Sequence, residues 1–119
     1  VAPDLEENQI TGLSRVFRDG GLDFVIATNT TLEREAVKGH PNAKEAGGLS
    51  GAPLTSHSTE VIAQFYAGLG KDVPIIGAGG IFSAEDALAK KAAGASLVQI
   101  YTGFVYRGPA LIHEIIRAW

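Results

Sequence analysis

Two stretches of this chain have the residue types and spacing to hold an anion. Gly77-Ala78-Gly79-Gly80 follows directly on the apolar run Val73-Pro74-Ile75-Ile76. Further along, Ala95-Ser96-Leu97-Val98-Gln99-Ile100-Tyr101-Thr102 repeats the design, a short buried strand opening into a turn. Each strand end offers backbone N–H groups and is followed by a helix start. Adjacent in a parallel sheet, the two make a cradle for a phosphate dianion, as after the last two strands of (β/α)8 barrels. A third stretch, Thr28-Asn29-Thr30-Thr31, places hydroxyls and an amide where Phe24-Val25-Ile26-Ala27 ends. A primary amide donates and accepts at once, which suits a ligand edge of mixed polarity.

Positioning these groups is the task of alternating strands and helices. Val1-Ala2 reads as the end of a strand. Pro3-Asp4 then opens a helix, with Asp4 as N-cap, Glu7 at capping-box spacing, and Ile10, Leu13, Val16 and Phe17 on its apolar side. From Leu32 to His57 no period holds. Gly47-Gly48-Leu49-Ser50-Gly51 and Pro53 mark a long structured loop, the kind of connection that usually carries function. Ser58 is expected to cap a helix bearing Val61, Ile62, Phe65, Tyr66 and Leu69. Ser83 and Asp86 form a second capping box, and Pro109 suits the first turn of a last helix. Four strand–helix units imply a parallel sheet with right-handed crossovers. They amount to half of an eightfold barrel, with a small open α/β sheet as the alternative.

Composition excludes other classes. The chain has 119 residues, 45% hydrophobic and 19% charged, with a net charge of −3, so neither disorder nor nucleic-acid binding is expected. No apolar run has a membrane-spanning length, and no signal-peptide pattern is present. Cysteine is absent, which removes disulfides and thiolate metal sites. Methionine is also absent and the chain opens at Val1, so it reads as a piece of a longer protein.

Five blocks in order carry a resemblance. They are Val1-Ala2-Pro3-Asp4, Ile26–Thr31, Gly47-Gly48-Leu49-Ser50-Gly51-Ala52-Pro53-Leu54, Pro74–Ile81 and Gly94–Thr102. Together they resemble the C-terminal part of the dihydroorotate dehydrogenases, FMN enzymes of pyrimidine biosynthesis, over essentially the whole chain. Tyr101 and Gly103-Phe104-Val105-Tyr106-Arg107-Gly108-Pro109 resemble the quinone-dependent class. That class oxidises dihydroorotate to orotate, reduces FMN, and passes the electrons to a quinone.

The resemblance implies a single FMN-binding (β/α)8 barrel domain, of which residues 1–119 are the C-terminal half, about four βα units. It implies FMN phosphate contacts at Gly79, Gly80, Tyr101 and Thr102, and flavin contacts at Thr28, Ser50 and Gly51. It assigns Asn29 and Thr30 to orotate. No catalytic base is implied within the chain, because the family's serine belongs to a loop in the other half. A flavin-contacting lysine is expected immediately before Val1. Quinone-gathering segments upstream would place the whole protein peripherally on the cytoplasmic face of a bacterial inner membrane. The piece alone is expected to be inactive, and to pair with its missing half or with itself. The alternatives are another phosphate- or FMN-binding barrel enzyme and a non-catalytic, self-associating half barrel.

Plainer roles compete at each position. Gly77–Gly80 alone is a tight turn of any α/β protein, and Thr28–Thr31 could be a cap or an Asx turn. His40, His57 and His113 have no metal-ligand spacing. Phe65, Tyr66 and Trp119 read as packing residues. Glu33, Arg34, Glu35 and Lys38 read as a solvated loop, and Lys90-Lys91 as an exposed helix face.

Overall fold

The computed structural model describes residues 1–119. Helix α1 spans Glu7–Asp19, strand β1 Val25–Ala27, helix α2 Thr55–Leu69 and strand β2 Ile75–Ala78. Helix α3 spans Ala84–Ala92, strand β3 Leu97–Gln99, helix α4 Thr102–Arg107 and helix α5 Pro109–Ala118. The strands form one parallel sheet in the order β1-β2-β3. The order never reverses, whereas an open doubly wound sheet reverses at its switch point. Successive right-handed crossovers in one direction put the helices on a single face, as in an arc of a (β/α)8 barrel.

The strands are short apolar runs because one face of each meets helices. Val25, Ala27 and Ile75 point into a core with Ile10 of α1 and Val61, Ile62, Phe65 and Leu69 of α2. Phe65 is fully buried and stacks on Phe17 with ring centroids 6.1 Å apart, locking α1 to α2. Burying each such side chain contributes about 1.5–3 kcal/mol. A smaller cluster of Ile81, Ala87, Leu111 and Ile115 seats α5, with Trp119 packed beside it.

Several expected boundaries move. Val1-Ala2 lies outside the sheet, although the Val1 nitrogen donates to the Ile26 carbonyl and the Asn29 N–H donates to the Val1 carbonyl, both at 2.8 Å. The chain therefore holds three complete βα units, preceded by α1 and this strand-like stub. Glu6, not Asp4, caps α1, in a box with Gln9. The Asp4 carboxylate is occupied by the Thr31 hydroxyl at 2.5 Å and the Leu32 N–H at 2.7 Å. Helix α2 begins at Thr55, directly after a 3-10 turn at Ala52–Leu54, so Ser58 and His57 lie inside it. Ser83 caps α3 as expected, with the reciprocal Asp86 contacts in place.

Candidate functional site

The C-terminal ends of the three strands open on one side of the sheet. At β1 the Thr28 N–H donates to the Ala78 carbonyl at 2.9 Å, the last rung before the chain leaves the sheet. Asn29 follows, exposed, with its Oδ1 accepting the Thr30 N–H at 2.8 Å. That contact is to the next residue and so is not an Asx turn, which would take the N–H two residues on, and it uses only the amide oxygen. The amide NH2 donates to no protein group and is available to a ligand.

The long loop is tied back to the same edge. Asp4 holds Thr31 and Leu32, and Thr31 and Leu49 exchange backbone hydrogen bonds at 2.7 and 3.1 Å. Arg34 donates to the Thr31 carbonyl at 3.1 Å and also to the Gly47 carbonyl. Ser50 and Gly51 are thereby returned to the sheet edge, where the Thr102 hydroxyl donates to Ser50 Oγ at 2.9 Å.

At the end of β2, Gly79 and Gly80 have φ of +105° and +68°, a region L side chains rarely enter. Their carbonyls turn toward α2. The Ser58 hydroxyl donates to Gly79 O at 3.1 Å and the Thr55 hydroxyl to Gly80 O at 2.6 Å. The N–H groups of Gly79, Gly80 and Ile81 donate to no protein acceptor. A Cβ on Gly80 would overlap the Thr55 backbone, so the approach of α2 requires this glycine, whereas Gly79 is required by its φ and a Cβ there would only crowd the Leu54 and Ser58 side chains. Beside them, β3 ends at Gln99 and α4 starts at Thr102. Gly103 lies so close to the Ile81 carbonyl that a Cβ would collide with it. The two turns are consequently packed edge to edge.

Thr28, Asn29, Thr30, Ser50, Gly51, Gly79, Gly80, Tyr101 and Thr102 all line one cavity of about 310 Å³. No charged side chain lines it, so an anion there would rely on N–H groups, hydroxyls and the short α4 start. Gln99, Ile81 and Gly103 also line it, although nothing in the sequence assigns them to a site. Gln99 was legible in principle, as an uncharged polar residue alternating with apolar neighbours at a strand end. A separate hollow of about 270 Å³ lies within the loop between Arg34 and Leu49 and contains none of these residues.

Lys90 overturns its expected place on an exposed face. It is fully buried beneath the β2 turn, while Lys91 stays outside over the Trp119 ring, 4.8 Å from its centroid. The Lys90 ammonium donates to Ser58 Oγ at 2.5 Å, Thr59 Oγ1 at 3.0 Å and the Thr55 carbonyl at 3.3 Å. Desolvation lowers its pKa to about 8, against an opposing pull from the Asp86 carboxylate.

This architecture has close counterparts. A quinone-dependent dihydroorotate dehydrogenase of Akkermansia muciniphila is 62% identical over 118 residues, covering 99% of this chain and 34% of that protein. One from Burkholderia cenocepacia is 58% identical over the same span. The ferulenol complex of Eimeria tenella DHODH superposes with a TM-score of 0.92 at 38% identity, over 99% of this chain and 31% of that one. Its ligand-free form gives the same TM-score at 37% identity. The chain thus spans about a third of the length of these relatives. The dihydroorotate dehydrogenase family model matches residues 1–118, and the chain belongs to that family.

Proposed function

We propose that this chain forms the FMN-phosphate and orotate end of a quinone-dependent dihydroorotate dehydrogenase active site. The observation that supports this most is the convergence of three strand ends and the Ser50-Gly51 loop on one uncharged, donor-lined cavity. The cavity suits FMN. Unpartnered N–H groups at Gly79, Gly80 and Ile81, with the Thr102 hydroxyl and the Tyr101-Thr102 backbone, can hold a phosphate. Thr28, Ser50 and Gly51 line the same cavity and would contact the flavin. The unpartnered Asn29 NH2, with Thr30 beside it, can orient orotate and dihydroorotate.

FMN, when bound, accepts the two electrons of dihydroorotate oxidation and hands them on to a quinone. The residues of this chain bind and orient. The base that takes the substrate proton belongs to segments outside this sequence, as does the contact with quinone and membrane. The same reading places the whole protein in pyrimidine biosynthesis, peripheral on the cytoplasmic face of a bacterial inner membrane. No helix of this chain is long and apolar enough to cross a membrane.

The test is made on the full-length protein. It should purify with a flavin absorption band that bleaches on anaerobic addition of dihydroorotate and recovers on addition of a soluble quinone. On this reading the Thr102 hydroxyl, which donates to Ser50 Oγ in this structure, turns its proton to the phosphate when FMN binds, and Thr102→Val should weaken FMN binding about 10-fold. A folded full-length protein without flavin, or one whose flavin is unaffected by dihydroorotate, would refute the proposal.

A further inference from the structure

Lys90 is an ammonium without a carboxylate partner, buried behind the turn that forms the cradle. Asp86 acts on it from beyond ion-pair distance, and burying a charge without a carboxylate in direct contact is costly. Its three acceptors are neutral oxygens, all on the first turns of α2. An ammonium can only donate. Ser58 Oγ must therefore accept from Lys90, which leaves its own proton for a carbonyl, and that of Gly79 at 3.1 Å is nearer than that of Thr55 at 3.5 Å, which Lys90 also occupies. Thr59 is placed likewise, accepting from Lys90 and donating to the Thr55 carbonyl at 2.8 Å. The Gly79–Gly80 peptide is trans, so its C=O and N–H point in opposite directions. Drawing Gly79 O onto Ser58 turns the Gly80 N–H away from α2.

We propose that Lys90 is a positioning residue, which orders the Ser58 hydroxyl so that the Gly79–Gly80 peptide presents its N–H to the flavin phosphate. This rests on the reading that the turn holds the FMN phosphate. The ammonium itself stays sealed beneath the turn. Its effect is selective: it concerns the phosphate end of the ligand and leaves the flavin ring alone.

Riboflavin, which lacks the phosphate, separates that effect from loss of structure. The full-length protein is stripped of flavin and titrated with FMN and with riboflavin, following flavin fluorescence. The wild type should prefer FMN. Lys90→Met, which keeps the alkyl stem, should lower FMN affinity about 10- to 100-fold and leave riboflavin affinity unchanged. Ser58→Ala should give the same selective loss, and the double variant should lose little more, because both act on one peptide. If Lys90→Met does not fold, Ser58→Ala carries the test alone. Preference for FMN retained in the folded variants would overturn the role of Lys90 and leave the cradle assignment intact. A wild type that binds both ligands equally would instead refute the cradle assignment, and with it this proposal.

Discussion

The Asn29 oxygen accepts the neighbouring Thr30 N–H, and its NH2 donates to no protein group; on the proposed reading that NH2 meets the substrate. In the full-length enzyme Asn29→Ala should therefore keep its flavin and lose about 1–3 kcal/mol of transition-state stabilisation, roughly 5- to 150-fold in kcat/KM. Unchanged turnover at low dihydroorotate would assign orotate to another residue. Lys90 gives a pH prediction, with Asp86 on the same helix as the charged group acting on it and only neutral Thr55, Ser58 and Thr59 facing it from α2. Its ordinary value is 10.5 and its folded value about 8, so between those pH values the unfolded chain holds more protons than the folded one. This group's contribution to stability consequently improves as pH rises through that window. A neutral amine, however, can accept as well as donate, and no longer forces the Ser58 proton onto Gly79. FMN affinity should fall above about pH 8 while riboflavin affinity and the denaturation midpoint do not fall because of Lys90. A flat FMN profile from pH 7 to 9.5 would contradict this.

Elements whose signals are local were legible in the chain, and elements set by distant partners were not. The strands at Val25, Ile75 and Leu97 follow from apolar runs bounded by glycine and polar residues, and the α3 start from the Ser83–Asp86 box. Asp4 has the residue type and spacing of an N-cap, but a carboxylate is satisfied wherever donors are nearest, and Thr31 and Leu32 come to it from across the fold. Helix α4 has no clear signal in the sequence because Gly103 sits in it, and a helical glycine is tolerated here for close approach to Ile81. The identity of Lys90 says exposed, yet it shares the stripe of Ala84 and Ala87 at three-residue spacing, a pattern that marks the buried face of α3. The cavity residues were legible as a set through the family blocks, since no local rule brings residue 50 beside residue 102. Asp4→Ala should accordingly leave α1 formed and release the loop after β1. The expected cost is about 1–3 kcal/mol, with faster proteolysis between Leu32 and Leu49 and unchanged helical circular dichroism. Loss of helical signal with no change in cleavage would return Asp4 to the helix.

The molecule is a slab of 43 × 35 × 18 Å with a radius of gyration of 14.5 Å, against about 13.5 Å for a compact chain of this length. Its shape follows from a sheet covered on one face. Ile26, Ile76 and Leu97 are register partners, so they form an apolar row across the three strands on the side away from the α2 core. Ile26 is 39% exposed and Leu97 59% exposed, although both would be interior residues of a closed barrel. The β1 edge is partly shielded by the Val1 backbone contacts, whereas the outer edge of β3 pairs with no strand. A parallel sheet with a bare apolar row and an open edge is an association surface. We therefore expect the isolated 119-residue chain to be catalytically silent and to self-associate, or to pair with the other part of its barrel when that is supplied. Leu97→Lys should raise the monomer fraction of the isolated chain by charging the row at its most exposed point. In the closed barrel the same change buries a charge, and it should destabilise the full-length enzyme by several kcal/mol. Light scattering after size exclusion, at a series of concentrations, reads the first effect, and chemical denaturation of the full-length protein reads the second. A wild-type segment that stays monomeric and unfolds cooperatively would show that the open face needs no cover.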